Sequence, residues 1–240
     1  MIKKKIRNIC FYTLITFYII IYLSLIKIDN YKKYSYYEDI DHLISKVEIN
    51  TAEKTIANNS LNLIDYYKKY YDNNDIIGIL NIDNTNITTL LVQTNNNKYY
   101  LNHAINKKQD PKGAIFLDYR TPLNSKQINI YGHNSKTLPV KFKELEKFVD
   151  KKYYNAHKYI NIWDGTNDNK YEIASIQIVN NDYEHLITNS INGKEHIKKL
   201  SKSLYNTNVP LKENDNLLII QTCWYNPQNS FLVIIAKKIK

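Results

Sequence analysis

The chain has 240 residues and a formal net charge of +10. This length accommodates one well-packed domain with an appended segment, and it excludes two ordinary domains plus a membrane anchor. The basic residues form no stripe interleaved with aromatic residues, so we predict no nucleic-acid binding and favour an anionic cell envelope as the neighbour.

An uncharged hydrophobic segment at residues 9–26 opens the chain. As a helix it would span about 27 Å, close to the thickness of a bilayer core. No small-residue cleavage site follows it, so we favour an uncleaved transmembrane anchor over a cleaved signal peptide. The flanking charges favour a cytoplasmic tail at residues 1–8, which predicts a single-pass protein of the cell membrane with an extracellular domain.

Residues 27–73 carry apolar side chains at helical intervals, which predicts a stalk of two helices before the domain. One face of the first helix would hold Ile40, Leu43, Ile44 and Val47. One face of the second would hold Leu61, Leu63, Ile64 and Tyr67.

Residues 74–240 change to alternating or short apolar runs separated by Asn, Asp, Gly and Pro, the pattern of strands and turns. The predicted strands are Ile76–Ile82, Ile87–Gln93, Lys98–Leu101, Ala114–Leu117, Gln127–Tyr131, Tyr159–Ile162, Tyr171–Val179, Asn216–Thr222 and Phe231–Lys237. Helical patterns interrupt them at Pro139–Val149 and Lys194–Leu204. The spacing predicts a mainly β domain with helices (α+β), folded as a closed barrel or a sandwich.

The chemistry of the domain centres on Cys223, the only cysteine outside the hydrophobic segment, which contains Cys10. We expect no disulfide between them, because they would lie on different sides of a membrane. A thiol needs a neighbouring base to become an effective nucleophile, and imidazole is the usual partner. His133 is the better candidate, since Gly132 lets the chain turn sharply after a strand. A buried inert thiol and a surface imidazole remain the alternative interpretation.

The domain resembles the class B sortases, the membrane-anchored cysteine transpeptidases of Gram-positive bacteria. The matching stretches are Asn74–Gln93, Tyr99–His103, Gly113–Arg120, Ile130–Asn134, Leu204–Asn214, Leu218–Tyr225 and Val233–Lys237. The resemblance implies an eight-stranded sortase-type β-barrel with an N-terminal helical pair and a long helix before the cysteine strand. It also implies that Cys223 is the nucleophile and His133 the general acid/base.

The resemblance implies a reaction as well. The enzyme would cleave the sorting signal of a secreted protein, hold the acyl fragment as a thioester on Cys223, and pass it to an amine of a peptidoglycan precursor or a pilin. Thr222 precedes the nucleophile in the family motif, while Trp224 and Tyr225 would either wall the substrate groove or belong to the core. No residues have the spacing of a zinc site and no phosphate loop occurs, so we predict neither a metal nor a cofactor.

One position departs from the family pattern. Sortases carry an arginine on the last strand, where its donors contact the substrate and the transition-state oxygen, and Phe231 occupies that place here. Arg120 or a lysine would have to reach the site, or Ser230 would have to donate instead; Arg120 could equally form a structural ion pair with Asp118. Reduced activity, a module that binds sorting signals without turnover, and a cysteine hydrolase are the alternatives to an efficient transpeptidase.

Overall fold

The computed structural model describes residues 16–25, 63–180 and 193–239. The chain divides into two compact units, Met1–Thr55 and Ile56–Lys240. In the first unit, residues 16–25 form helix α1, whose side chains are all exposed. No helix within the described ranges is long and apolar enough to cross a membrane. Part of the predicted span at 9–26, and the whole of the first predicted stalk helix, lie outside the described residues.

Within residues 63–180 and 193–239, the second unit contains eight strands, three α-helices and two 3₁₀ helices. The helical elements are α2 (Leu63–Tyr71), η1 (Tyr99–Leu101), η2 (Lys141–Val149), α3 (Lys151–Ala156) and α4 (Lys194–Leu200). The strands are β1 (Ile76–Ile82), β2 (Thr88–Val92), β3 (Phe116–Leu117), β4 (Gln127–Tyr131), β5 (Tyr159–Trp163), β6 (Asp168–Asn180), β7 (Leu217–Trp224) and β8 (Ser230–Lys238). Helix α2 buries Ile64, Tyr67 and Tyr71 and coincides with the described part of the second predicted helix, whereas the assignment of that helix to a stalk stays a prediction.

The strands close into a barrel in the order β1-β2-β3-β4-β7-β8-β6-β5, which confirms the predicted barrel. The β2–β3 and β4–β7 pairs are parallel, and the other pairs are antiparallel. Because β4 and β7 run in the same direction, their carboxyl ends meet at one end of the barrel. The residues that follow both strands are thereby brought together.

Alternating side chains divide the strands between the barrel interior and its outer face. On β7, Leu218 and Ile220 belong to the interior core, whereas Leu217 and Ile219 face outward and pack beneath Ile197. Helix α4 therefore covers the outer face of β7 and β8. Residues Leu217–Ile220 of β7 are therefore buried on both faces of the sheet.

The predicted strand at Lys98–Leu101 is wrong, because this segment contains the 3₁₀ helix η1. The Asn96 carboxamide oxygen accepts hydrogen bonds from the backbone amides of Lys98 and Tyr99, which turns the chain at the point where a strand would begin. The side chains of Lys98–Leu101 do not indicate that the Asn96 side chain bonds to the backbone of this segment.

The helix before the cysteine strand is seven residues long and ends at Leu200, short of the predicted Leu204. The following residues bond to the edge of β6 instead: the Leu204 amide donates to the Ile176 carbonyl, and the Ile176 amide donates to the Ser203 hydroxyl. The predicted helix at Pro139–Val149 is the 3₁₀ helix η2, which buries Phe142, Leu145 and Phe148.

Candidate active site

Cys223 lies at the end of β7 on the outer face of the barrel. The strand alternation points Thr222 inward, where it is 2% exposed, and leaves Cys223 half-buried on the opposite side. Cys223 is a free cysteine. Burial raises the pKa of its thiol above the ordinary value. Burial thus favours the neutral thiol over the thiolate, and a neutral thiol becomes an effective nucleophile when a base takes its proton.

His133 follows β4, the parallel neighbour of the strand that carries Cys223. Tyr131 pairs with Gln221 at the end of the β4–β7 ladder, two residues before His133 and two before Cys223. The pairing continues beyond the strand, because the Thr222 hydroxyl donates to the Gly132 carbonyl over 2.8 Å. The residues that directly precede His133 and Cys223, far apart in sequence, are thus in contact.

A backbone carbonyl orients the His133 ring. His133 Nε2 lies 2.7 Å from the carbonyl oxygen of Leu101 in η1. A carbonyl oxygen can only accept a hydrogen bond, so Nε2 carries the proton. In the neutral ring Nδ1 then holds the free lone pair and is the nitrogen able to take a proton. The segment Lys98–Leu101, wrongly predicted as a strand, therefore supplies the carbonyl that contacts His133, and it does so as part of the 3₁₀ helix η1.

The other described histidines have partners away from Cys223. His103 stacks on Tyr99 with a centroid separation of 4.0 Å and bonds to the Tyr99 carbonyl. His157 stacks on Tyr153 in the same manner. His196 bonds to Gln127, and burial lowers its pKa.

Phe231 is directly opposite Cys223 in the antiparallel β7–β8 ladder. Directly opposed side chains on one face of a sheet are neighbours. Phe231 is half-buried and packs against the apolar outer face beneath α4. The side chain next to the thiol on β8 is therefore a ring without a hydrogen-bond donor.

The candidate donors Ser230 and Arg120 are engaged or oriented elsewhere. Ser230 is 3% exposed and shares the inward alternation of Leu232, on the opposite side of β8 from Phe231. Arg120 forms two hydrogen bonds with the fully buried Asp118, at 3.0 Å each. This is the structural ion pair predicted as one alternative.

A polar network around Asp118 lies beside the site. Its carboxylate also accepts hydrogen bonds from Asn97 and from the Tyr131 hydroxyl, at 2.7 and 3.0 Å. Burial opposes the charge of Asp118, but the hydrogen bonds from Arg120, Asn97 and Tyr131 outweigh it and hold the pKa of the carboxyl below its ordinary value. Tyr131 connects this network to the strand that carries His133.

The two aromatic residues after Cys223 have different surroundings. Trp224 alternates inward, packs against the core, and donates its indole N–H to the Asn226 carbonyl. The Tyr225 hydroxyl donates to the backbone carbonyl of Asn134 over 2.7 Å. Sequence reasoning named both aromatic residues but missed Asn134, although it lies within the matching stretch Ile130–Asn134. No group of three or more metal-ligating side chains occurs among the residues that the structure describes.

Comparison with known proteins identifies relatives for the chain. No family model matches it. It is 29% identical over 157 residues to sortase B of Listeria monocytogenes, covering 63% of each chain, so the match spans less than two thirds of that relative. It is 27% identical over 181 residues to sortase B of Staphylococcus aureus, covering 70% of this chain and 72% of the relative.

Solved structures extend this likeness to the fold. A mutant form of Clostridium perfringens sortase B matches with 30% identity and a TM-score of 0.67, covering 73% of this chain and 86% of that one. A Staphylococcus aureus sortase B–substrate complex matches with a TM-score of 0.75 at 21% identity, covering 89% and 99%. The barrel and these matches together show that the chain belongs to the class B sortase family.

Proposed function

We propose that the chain is a cysteine transpeptidase that cleaves sorting signals of secreted proteins and joins the acyl fragment to an amine. The β4–β7 register supports this proposal, because the parallel ladder ends at the Tyr131–Gln221 pair, two residues before His133 and two before Cys223. Its membership of the sortase family supports the same reaction class. The substrates would be extended peptides, and the acceptor would be an amine of a peptidoglycan precursor or a pilin.

The first half of the reaction forms a thioester. As Cys223 Sγ bonds to the carbonyl carbon of the scissile Thr–Gly or Thr–Asn-type bond, its proton passes to His133 Nδ1. The carbon–nitrogen bond then breaks, and His133 returns the proton to the departing amine. Backbone amides near the end of β7 would stabilise the negative oxygen formed on the way.

In the second half of the reaction the acyl group passes from the Cys223 sulfur to the nitrogen of the acceptor amine. The acceptor amine attacks the thioester carbonyl carbon and gives a proton to His133 Nδ1. The carbon–sulfur bond breaks, the proton passes to sulfur, and a new peptide bond and a neutral thiol remain. Water in place of the amine would make the protein a cysteine hydrolase, and added amine would distinguish the two by diverting the product.

The second candidate function is a module that binds sorting signals with little turnover. Phe231 favours it, because the side chain opposite Cys223 has no donor for the developing oxyanion. Loss of one such donor typically lowers turnover about 100- to 1000-fold. This candidate predicts saturable peptide binding without thioester formation.

Membrane attachment belongs to the same proposal. The uncharged residues 9–26 would anchor the chain, with residues 1–8 in the cytoplasm and the barrel outside. Protease treatment of intact protoplasts should digest the barrel and spare an N-terminal tag; protection of the barrel would contradict the assignment.

The deciding experiment uses the full chain in detergent with labelled sorting-signal peptides and an amine acceptor. Cys223→Ala should abolish cleavage and product formation. Cys10→Ala, which removes the other cysteine, is the matched control and should behave as the unmodified protein. Equal cleavage by the unmodified protein and Cys223→Ala would refute the enzyme proposal.

A further inference from the structure

Asn134 forms an unusual double contact next to the candidate catalytic pair. Its side chain is buried, and Nδ2 lies 2.9 Å from the backbone carbonyl oxygen of Cys223 and 2.6 Å from Oε1 of Glu146. A carboxamide nitrogen carries two hydrogens, so it donates to both acceptors at once. One side chain therefore joins the backbone of the candidate nucleophile to an acidic residue of η2.

The orientation of the Asn134 amide is set by its partners. A flipped amide would turn Oδ1 toward a carbonyl and a carboxylate, which are both acceptors. In the observed orientation Oδ1 is buried without a hydrogen-bond partner among the described residues. Buried acceptors without partners are uncommon in folded proteins and concentrate at functional sites.

Further contacts connect the same two segments. The Tyr225 hydroxyl donates to the Asn134 carbonyl, and the Thr222 hydroxyl donates to the Gly132 carbonyl. The residues on both sides of Cys223 therefore bond to the residues on both sides of His133. These contacts hold the two segments at a fixed separation.

Glu146 provides the outer attachment of this arrangement. Lys143 pairs with its other oxygen at 2.8 Å. Burial opposes ionisation of Glu146, but the hydrogen bonds from Asn134 and Lys143 outweigh it and hold the pKa of the carboxyl below its ordinary value. Glu146 is thus a charged acceptor on a helix whose apolar face is in the core.

We propose that Asn134 is a positioning residue that holds the backbone of Cys223 against the segment carrying His133, with Glu146 as its anchor. The inference rests on the proposed transpeptidase function and adds to it the residue that sets the geometry of the thiol and the base. Asn134 acts through Cys223 and takes no part in proton transfer.

The test compares Asn134→Ala with Asn161→Ala in the full chain. Asn161 is the matched control, because its Nδ2 also donates to two acceptors at once, which are the side-chain oxygens of Asn81 and Asp83 at 3.2 and 2.6 Å. It lies on β5, separated from β7 by β6 and β8. Asn134→Ala should lower kcat about 100-fold with KM changed less than about 3-fold, as a displacement of about 1 Å between reacting groups does. Asn161→Ala should keep kcat.

A kcat for Asn134→Ala no lower than that of Asn161→Ala, or a loss confined to KM, would overturn the proposal. If Asn134→Ala does not fold, variants of Glu146 test the positioning proposal instead. Glu146→Gln keeps the Oε1 acceptor and should retain kcat within about 3-fold, whereas Glu146→Ala removes it and should lower kcat about 10-fold. Equal kcat values for these two variants would also overturn it.

Alkylation of Cys223 separates this proposal from the proposed function. The rate is followed on the Cys223 peptide by mass spectrometry at neutral pH, without any substrate. His133→Ala should slow alkylation because it removes the base, and Asn134→Ala should slow it to the same level because it displaces the thiol from that base. An alkylation rate for Asn134→Ala equal to that of the unmodified protein refutes positioning, even if no sorting signal is cleaved. Absence of cleavage by the unmodified protein refutes only the proposed function.

Discussion

Replacing Phe231 by arginine tests whether the family's missing donor limits the reaction. Position 231 is opposite Cys223 on the adjacent strand, so an arginine there would extend along the outer face beside the thiol. A guanidinium donor to the developing oxyanion is worth about 100- to 1000-fold in turnover, or about 3–4 kcal/mol. We therefore expect Phe231→Arg to raise kcat by about this factor.

The same substitution has a cost in stability. Full burial of a phenylalanine side chain contributes about 1.5–3 kcal/mol, and Phe231 is only half-buried against the apolar outer face, so the loss should be about 1 kcal/mol. For a chain of this size that lowers Tm by about 2–4 °C. The gain in activity and the loss in stability are thus predicted together.

The assay measures kcat and KM for peptide cleavage with and without an amine, beside thermal unfolding. Phe231→Lys is the matched control, because it adds a positive charge without the planar fork of donors and should gain much less than arginine. An unchanged kcat for Phe231→Arg, in a protein that still folds, would refute the reasoning and indicate that another group already stabilises the oxyanion.

Two further predictions concern the residues around the site. Alanine at Gly132 would bring its Cβ to 2.6 Å from Cδ2 of the buried Phe142. Gly132→Ala should therefore lower the free energy of unfolding by about 1–3 kcal/mol and displace His133, which unfolding and cleavage assays measure. Gly193→Ala is the control and should change neither result, because no atom lies within 4 Å of the added Cβ. Asp118 has a lowered pKa in the folded state, so its contribution to stability is present above the unfolded pKa of about 4 and is lost as pH falls through the lower folded value. In denaturant titrations Asp118→Asn should therefore be less stable than the unmodified protein at pH 7, and this difference in stability should shrink in acid. Asp65→Asn, which changes an exposed carboxylate, should match the unmodified protein. A stability difference for Asp118→Asn that does not depend on pH would contradict the reasoning.

The barrel was predictable because its strands carry a strong periodic signal. Strands β1 and β4 have the predicted bounds, and β7 and β8 differ from them by one or two residues. Cys223 stood out as a single cysteine at a strand end, and His133 followed a strand with a glycine. Both signals are local, so one sequence was sufficient to propose the pair with the help of the family resemblance, and its catalytic role stays a prediction.

The supporting contacts were not predictable, because each one joins residues distant in sequence. The Leu101 carbonyl meets His133 across 32 positions, and Asn134 meets Cys223 across 89. Nothing in the sequence around Glu146 distinguishes it from other acidic residues on a helix face. Strand register in the folded barrel decides which of these polar groups meet, and register was not contained in the hydrophobic pattern alone.

The state of the thiol explains why positioning should matter in this chain. Burial favours the neutral form of Cys223, and no charged group among the described residues lowers its pKa. The proton must then leave as the sulfur attacks, so the reaction depends on the separation of Sγ and Nδ1 at that moment. Phe231, opposite the thiol on β8, offers no hydrogen-bond donor to the developing oxyanion. Beside the backbone amides near the end of β7, fixed geometry from Thr222, Asn134 and Tyr225 is therefore the means by which we expect these residues to accelerate the step.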